Sequence, residues 1–319
     1  MGVGVSAHRL AGAVARENAM GTIASIDLRH HHPDLIEQTE RCRDRDVIDR
    51  VNEIALDREI KAALEIAQGN GVVAVNVMKA VRAYPGLVRQ ACESGAQAIV
   101  MGAGLPLDLP DMTADFPKVG LIPILSESRG VAIVMKKWLK KGRCPDAIVI
   151  EHPGHAGGHL GAARIEDLHA ERFEFAMVIE QCQALFQELS LGADAPPLIL
   201  AGGIDSHEKV RHWLGNGASA AQLGTAFAVT EEGDAHIDFK RVLMEAELSQ
   251  RMDCLTQCGL RDGNAKVGQF CIDLKLVAAL KGDVQKGLFF RGAGSLPFGQ
   301  AIRSVKDLID YLLYGQLFT

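Results

Sequence analysis

With 319 residues, 48% of them hydrophobic and 23% charged, the chain has a globular composition and enough length for one large α/β domain or two smaller ones. A formal charge of -6 and a pI near 6.0 give no electrostatic reason to expect nucleic acid or an anionic membrane as partner, because both are held by basic patches. Seven cysteines without CxxC spacing, no apolar run near the ~18 residues of a membrane span, and no signal-peptide pattern predict reduced thiols in a cytoplasmic protein.

The chain opens with "MGVGVSAHRLAGAVARENAMG", a glycine-rich stretch that runs directly into a helical pattern, with Ser6 as N-cap and Leu10, Val14 and Glu17 following at helical spacing. Residues 1–4 read as a βα loop whose strand is missing. Seven short apolar runs then read as strands: 19–25, 72–78, 98–104, 120–126, 147–152, 198–204 and 220–226. Their nearly unbroken apolar character is that of parallel strands buried on both faces. Amphipathic helices separate them. In "VAIVMKKWLKKG" Val131, Val134, Met135, Trp138 and Leu139 share one face, and lysines crowd the negative end before Gly142. In "IDSHEKVRHWLGNGA" Asp205 and Glu208 have capping-box spacing, with Val210, Trp213 and Leu214 as the apolar stripe.

Such alternation predicts a parallel sheet, either open and doubly wound or closed into a (β/α)8 barrel, from which seven strands are one short. This α/β unit is expected over 1–236. After Thr230 the alternation ends, and 237–319 reads as a mostly helical extension packed on the barrel, closing with "AIRSVKDLIDYLLYG", whose apolar side is Val305, Leu308, Ile309, Leu312 and Leu313. The "HHH" at 30–32 is too short to be a low-complexity tract.

Ligands of parallel α/β proteins sit at the C-terminal ends of the strands. Those positions are polar or glycine-rich here: Asn76, Gly102 to Gly104, Ser126, Glu151 to Gly161, Gly202 and Gly203, and Gln222 to Thr225. "LILAGGID" followed by "SAAQLGT" has the arrangement of an anion cradle on the last two strands. Gly202 and Gly203 let amides approach a phosphate, and Gly224 with the amide and hydroxyl of Thr225 completes the donors. The plain alternative is two tight turns that need glycine only for positive φ. "EHPGHAGGHLGA" (151–162) concentrates His152, His155 and His159 among glycines. No carboxylate or thiolate follows at ligand spacing, so no metal site is expected. His152 and His155 read as loop histidines without a role. His159, with glycines on both sides, suits an imidazole presented to a planar ligand, and its unperturbed pKa of ~6.5 lets it exchange protons at neutral pH.

"HAGGHLGA", "LILAGGI" and "AQLGTAFAVTEEGDAH", with "VAVNVM" and "IVMGAGLP" in matching places, resemble the nitronate monooxygenase family, formerly the 2-nitropropane dioxygenases, together with its relative the FMN-dependent enoyl-acyl-carrier-protein reductase. The resemblance runs from residue 1 to about 245. It implies a TIM barrel carrying FMN, a catalytic histidine at His159, and cofactor contacts at Met1, Gly2, Asn76, Gly158, Gly202, Gly203, Gln222, Gly224 and Thr225. The implied activity is oxidation of an alkyl nitronate or nitroalkane with O2 to a carbonyl compound and nitrite. NAD(P)H-dependent reduction of an enoyl thioester or quinone and a flavin-free phosphate-binding barrel stand as alternatives, and a homo-oligomer is compatible with each. Two departures mark this chain. Relatives begin with a strand that ends in a QG(G/P)M-like loop, whereas this sequence starts at that Met. Relatives also often carry an acidic residue where His155 stands. The segment 162–197 is longer than in compact relatives, which suggests a lid.

Overall fold

The computed structural model describes residues 3–156, 162, 164–246, 269–292 and 294–316. Its centre is a seven-stranded sheet of β1 (Met20–Ala24), β2 (Val72–Met78), β3 (Ala98–Gly102), β4 (Gly120–Leu125), β5 (Ile148–Glu151), β6 (Leu198–Ala201) and β7 (Ala220–Gln222). The strands lie side by side in chain order and every pairing is parallel. All seven apolar runs of the sequence are strands, each ending at the last residue of its run or up to four residues before it. The result is a TIM-type α/β fold with seven strands among the described residues.

The pleat sorts side chains into two layers. Ala74, Ala98, Val100, Ile122, Ala147, Val149 and Ala201 form the apolar cluster on the inner face of the sheet, joined by Val72, Ile124 and Ile199. The alternate positions, such as Val73, Val75, Ile99, Leu121, Ile148, Ile150 and Leu200, belong to the larger cluster between sheet and helices. Parallel strands buried on both faces carry no polar alternation, which is why the runs were so continuous in the sequence.

The outer layer consists of α1 (His8–Arg16), α2 (Pro33–Thr39), α3 (Arg45–Ala67), α4 (Tyr84–Glu93), α5 (Leu109–Met112), α6 (Ser128–Leu139), α7 (Phe175–Glu188), α8 (His207–Gly215) and the single turn α9 (Thr225–Ala228). Helix α1 lies so close on β1 that a Cβ at Gly21 would come within 1.8 Å of the Ala11 carbonyl oxygen, so only glycine permits the contact. Among the described residues three helices follow the barrel wall: α10 (Ile237–Glu245), α11 (Gln269–Leu280) and α12 (Val305–Tyr314). Val305 and Ile309 of α12 pack on Leu10, Ala13 and Val14 of α1.

Several local expectations are corrected. Ser6 is not the cap of α1; its hydroxyl donates to the Thr22 carbonyl at 2.6 Å, and the α1 amides are capped from afar by Asp234. The cap of α8 is Ser206, which accepts from the Lys209 amide, rather than Asp205. Leu214 and Leu313, assigned to apolar stripes, are exposed. From Phe175 onward the supposed lid is α7, whose Phe175, Val178, Ile179, Cys182, Leu185 and Phe186 are buried as barrel wall. Cys254 and Cys258 lie outside the described residues; Cys42, Cys92, Cys144 and Cys182 are free thiols. No described helix is long and apolar enough to cross a membrane.

Candidate active site

The C-terminal ends of the seven strands converge on one mouth. Gly202 and Gly203 follow β6 directly at φ +102° and +74°, in the left-handed region that favours glycine. A Cβ on Gly202 would stand 3.1 Å from the His152 carbonyl oxygen, and one on Gly203 would stand 3.0 Å from the His155 ring. The turn therefore needs glycine both for its backbone angles and for the close passage of the 152–156 loop. Among the described residues, the amides of Gly202, Gly203 and Gly224 donate to no protein acceptor. Unengaged N–H groups beside bare backbone are what an anion requires, and the open space at the Cβ position of Gly224 leaves that side clear.

The third wall of this cradle comes from a segment the sequence reading did not assign. Gly292 donates its amide to the Thr225 hydroxyl at 3.0 Å, and Ser295 donates to Asp205 Oδ2 at 2.6 Å. Arg291 fixes the same segment by donating to the carbonyls of Leu243, Ala246 and Gly294. Lys209, one turn into α8, donates to the Gly203 carbonyl at 3.0 Å and pairs with Asp205 Oδ1 at 2.7 Å. The Thr225 oxygen accepts from Gly292, which leaves its O–H hydrogen to be donated elsewhere. The glycines of "RGAGS" were the only hint of this loop in the sequence, and nothing local ties them to Asp205, 90 residues earlier.

Asn76 lies within β2 rather than beyond it. Its Cα is in register with Ala24 and Val100, and it shares the inner face with Ala74, so it closes the apolar interior from above. Gln222 ends β7 in register with Ala201, again on the inner face. His152 is buried; its Nδ1 accepts from the Gly154 amide at 3.1 Å, and its ring lies 4.4 Å from that of His155 and 5.6 Å from that of Phe175. It anchors the start of the 152–156 loop. His155 is exposed, with its ring against Gly203. Met1, Gly2, Gly158 and His159 lie outside the described residues.

On the opposite rim, Lys79 after β2 pairs with Asp108, and the Tyr84 hydroxyl donates to Asp108 at 2.7 Å while Lys79 sits 4.2 Å above the Tyr84 ring. These contacts tie the loops after β2 and β3 together. Among the described residues no group of three His, Cys, Asp or Glu converges as metal ligands would.

Comparison with known proteins agrees with this architecture. The nitronate monooxygenase family model matches residues 1–315. A probable nitronate monooxygenase of Bacillus subtilis (strain 168) is 28% identical over 255 residues, which cover 77% of this chain and 69% of that protein. The FabK structure from Thermotoga maritima superposes with a TM-score of 0.68 at 18% identity, over 97% of this chain and 88% of that one. A nitroalkane oxidase from Streptomyces ansochromogenes gives 0.68 at 18% identity, over 98% and 92%.

Proposed function

The chain belongs to the nitronate monooxygenase family and is a flavin-dependent oxidoreductase; from that premise we propose that its flavin is FMN and that it oxidises alkyl nitronates with O2 to carbonyl compounds and nitrite. The observation that carries the reading is the pair of consecutive strand ends, Gly202–Gly203 and Gly224–Thr225, at the mouth of a parallel barrel, where the amides of Gly202, Gly203 and Gly224 donate to no acceptor among the described residues. These residues fit a phosphate monoester. The cradle is bare of side chains on the glycines, Lys209 brings a cation to its edge, and Thr225 retains a hydroxyl hydrogen to donate.

FMN would be held at its phosphate by Gly202, Gly203, Gly224 and Thr225, with Asn76 and Gln222 on the inner face below its ring and Met1, Gly2 and Gly158 as further contacts. When bound, it supplies the electron acceptor for the nitronate and the route to dioxygen. His159 is the proton-handling group in this scheme. Its imidazole takes the α-proton of a neutral nitroalkane, or donates to the nitro oxygens of a nitronate that arrives already ionised. The sequence sets glycines on both sides of it, which would leave no Cβ in the way of a planar ring. The apolar plug below Asn76 and Gln222 keeps water out of the barrel beneath the reacting atoms.

An anaerobic titration of the FMN-loaded protein with a panel of nitronates, NADH and NADPH tests the reading. Bleaching of the flavin absorbance by nitronates supports it; bleaching by NADH or NADPH alone moves the assignment to enoyl-thioester or quinone reduction. His159→Asn should lower turnover with neutral nitroalkane by about 10²-fold or more while FMN stays bound. Unchanged turnover removes His159 from its role.

A further inference from the structure

A phosphate monoester carries a charge of about −1.5 to −2 at neutral pH, and backbone amides, each with a fraction of a charge, do not balance it. The cation at the edge of the cradle is already paired. Lys209 meets Asp205 Oδ1 at 2.7 Å, so the two charges offset each other.

Arg291 stands in a different electrostatic position. It immediately precedes Gly292, whose amide donates to the Thr225 hydroxyl at 3.0 Å, and its guanidinium donates to the Gly294 carbonyl at 3.0 Å. The backbone of Gly294 in turn lies against Asp205, since a Cβ there would come within 2.7 Å of Oδ2. Arg291 thus belongs to the segment that touches both Thr225 and Asp205. Its remaining contacts are the Leu243 and Ala246 carbonyls at the end of α10, both at 2.8 Å. All three acceptors are neutral, and Arg291 has no ion pair among the described residues. Its Nε is buried and donates to no acceptor among those residues. A guanidinium is never deprotonated in a folded protein, so this charge stands without a carboxylate to balance it.

We propose that Arg291 is a positioning and specificity-determining residue: its uncompensated charge, held beside the cradle by three carbonyls, makes the site select a phosphorylated flavin over the neutral, unphosphorylated one. The assignment rests on the flavin reading above. It requires no contact between guanidinium and ligand, because a single charge acts through space at the partly screened edge of a protein. The plain alternative is that Arg291 does no more than cap α10, where a cation is favoured in any case. The two roles part on one point. A cap supports the fold whatever the ligand, whereas an unbalanced charge matters only to a ligand that is itself charged.

The test is the affinity of the full-length protein for FMN and for riboflavin, which lacks the phosphate, read by quenching of flavin fluorescence at low and high salt. Wild type should bind FMN more tightly than riboflavin, and salt should narrow that preference while leaving riboflavin unaffected. Arg291→Met, which keeps the aliphatic stem, should weaken FMN about 10-fold and leave riboflavin within about twofold of wild type. Arg291→Lys restores the charge without the planar fork and should recover FMN to within about threefold. Arg291→Gln, which can still donate to a carbonyl, takes the place of the methionine variant if that one does not fold.

Three results overturn the proposal: wild-type preference for FMN in the uncharged variant, an equal loss of both flavins, or a lysine variant as weak toward FMN as the uncharged one. Wild-type protein that binds both flavins equally overturns the phosphate cradle, and one that binds neither overturns the flavin reading itself, which separates those failures from that of Arg291.

Discussion

Glu59 of α3 is 1% exposed and accepts from both the backbone amide and Nδ1 of His8, at 2.8 and 2.6 Å, with His32 Nε2 2.9 Å from its other oxygen. Burial pushes its carboxyl up, but the hydrogen bonds and charge of His8 outweigh this and hold it below the usual range, while Glu59 in turn raises His8. The "HHH" run thus divides into three environments. His31 Nε2 bonds the Gly4 carbonyl at 2.8 Å, His32 faces Glu59, and His30 is held by burial, helped by Arg29, at a pKa of about 4. Nothing in three identical letters distinguishes these fates, because burial and the distant partners Gly4 and Glu59 decide them. The His30 shift has a definite sign: with its pKa depressed in the fold, the unfolded chain takes the proton first. Stability should be unaffected above the unfolded value of ~6.5, fall as pH drops below it, and level off below about 4. Because the ring is partly solvated, we expect about 2 kcal/mol lost by pH 4.5 through this group. Urea melts at pH 7 and 4.5 check it. His30→Gln should flatten the decline by about that amount, and parallel declines in variant and wild type would contradict the assignment.

At the scale of elements, the strands were readable because a buried parallel strand writes its own signature, whereas caps were not readable where they act across the chain. Asp205 has capping-box spacing yet holds Ser295, and Ser6 sits where a cap should be yet bonds Thr22. The cap of α1 is Asp234, which follows the "TEEG" turn and accepts from the amides of Ala7, Arg9 and Leu10 at 2.8, 3.2 and 3.1 Å. A carboxylate at the positive end of a helix combines capping with charge–dipole attraction. Against this, burial raises the Asp234 carboxyl above its ordinary range. Asp234→Ala should cost about 1–2 kcal/mol, read as a lower denaturation midpoint. Asp234→Asn keeps an acceptor oxygen and should recover part of it. Glu151 shows the same limit at the site. The sequence places it only among the polar positions at the end of a strand, and strand register is what puts it on the inner face, level with Ala201 and Gln222.

Across the whole molecule, the division after residue 236 that the sequence suggests is a change of pattern, from alternating strand and helix to helix alone. The contacts that cross it are extensive. Phe239, Leu243, Ala279 and Leu280 pack with Ala228, Val229 and Ala235, and the α12 residues Val305 and Ile309 pack with α1. His207 Nδ1 meets the Leu312 carbonyl at 3.0 Å, which ties α8 to the last helix, and Gly292 and Ser295 donate to Thr225 and Asp205 beside the proposed phosphate cradle. A chain ending at residue 236 would leave those apolar surfaces of α1 and the β7 side exposed and remove Val305, Leu308, Ile309 and Leu312, all buried. At about 1.5–3 kcal/mol for each fully buried aliphatic side chain, the loss from α12 alone is comparable to the ~5–15 kcal/mol that separates a native domain from its unfolded state. We therefore propose the C-terminal extension as an integral part of the barrel's stability rather than an independent module. The truncated chain should keep much of its far-ultraviolet circular dichroism, lose the near-ultraviolet signal, bind a hydrophobic dye, and fail to retain FMN. A truncated chain that melts cooperatively near the full-length temperature would show instead that the barrel folds without its tail.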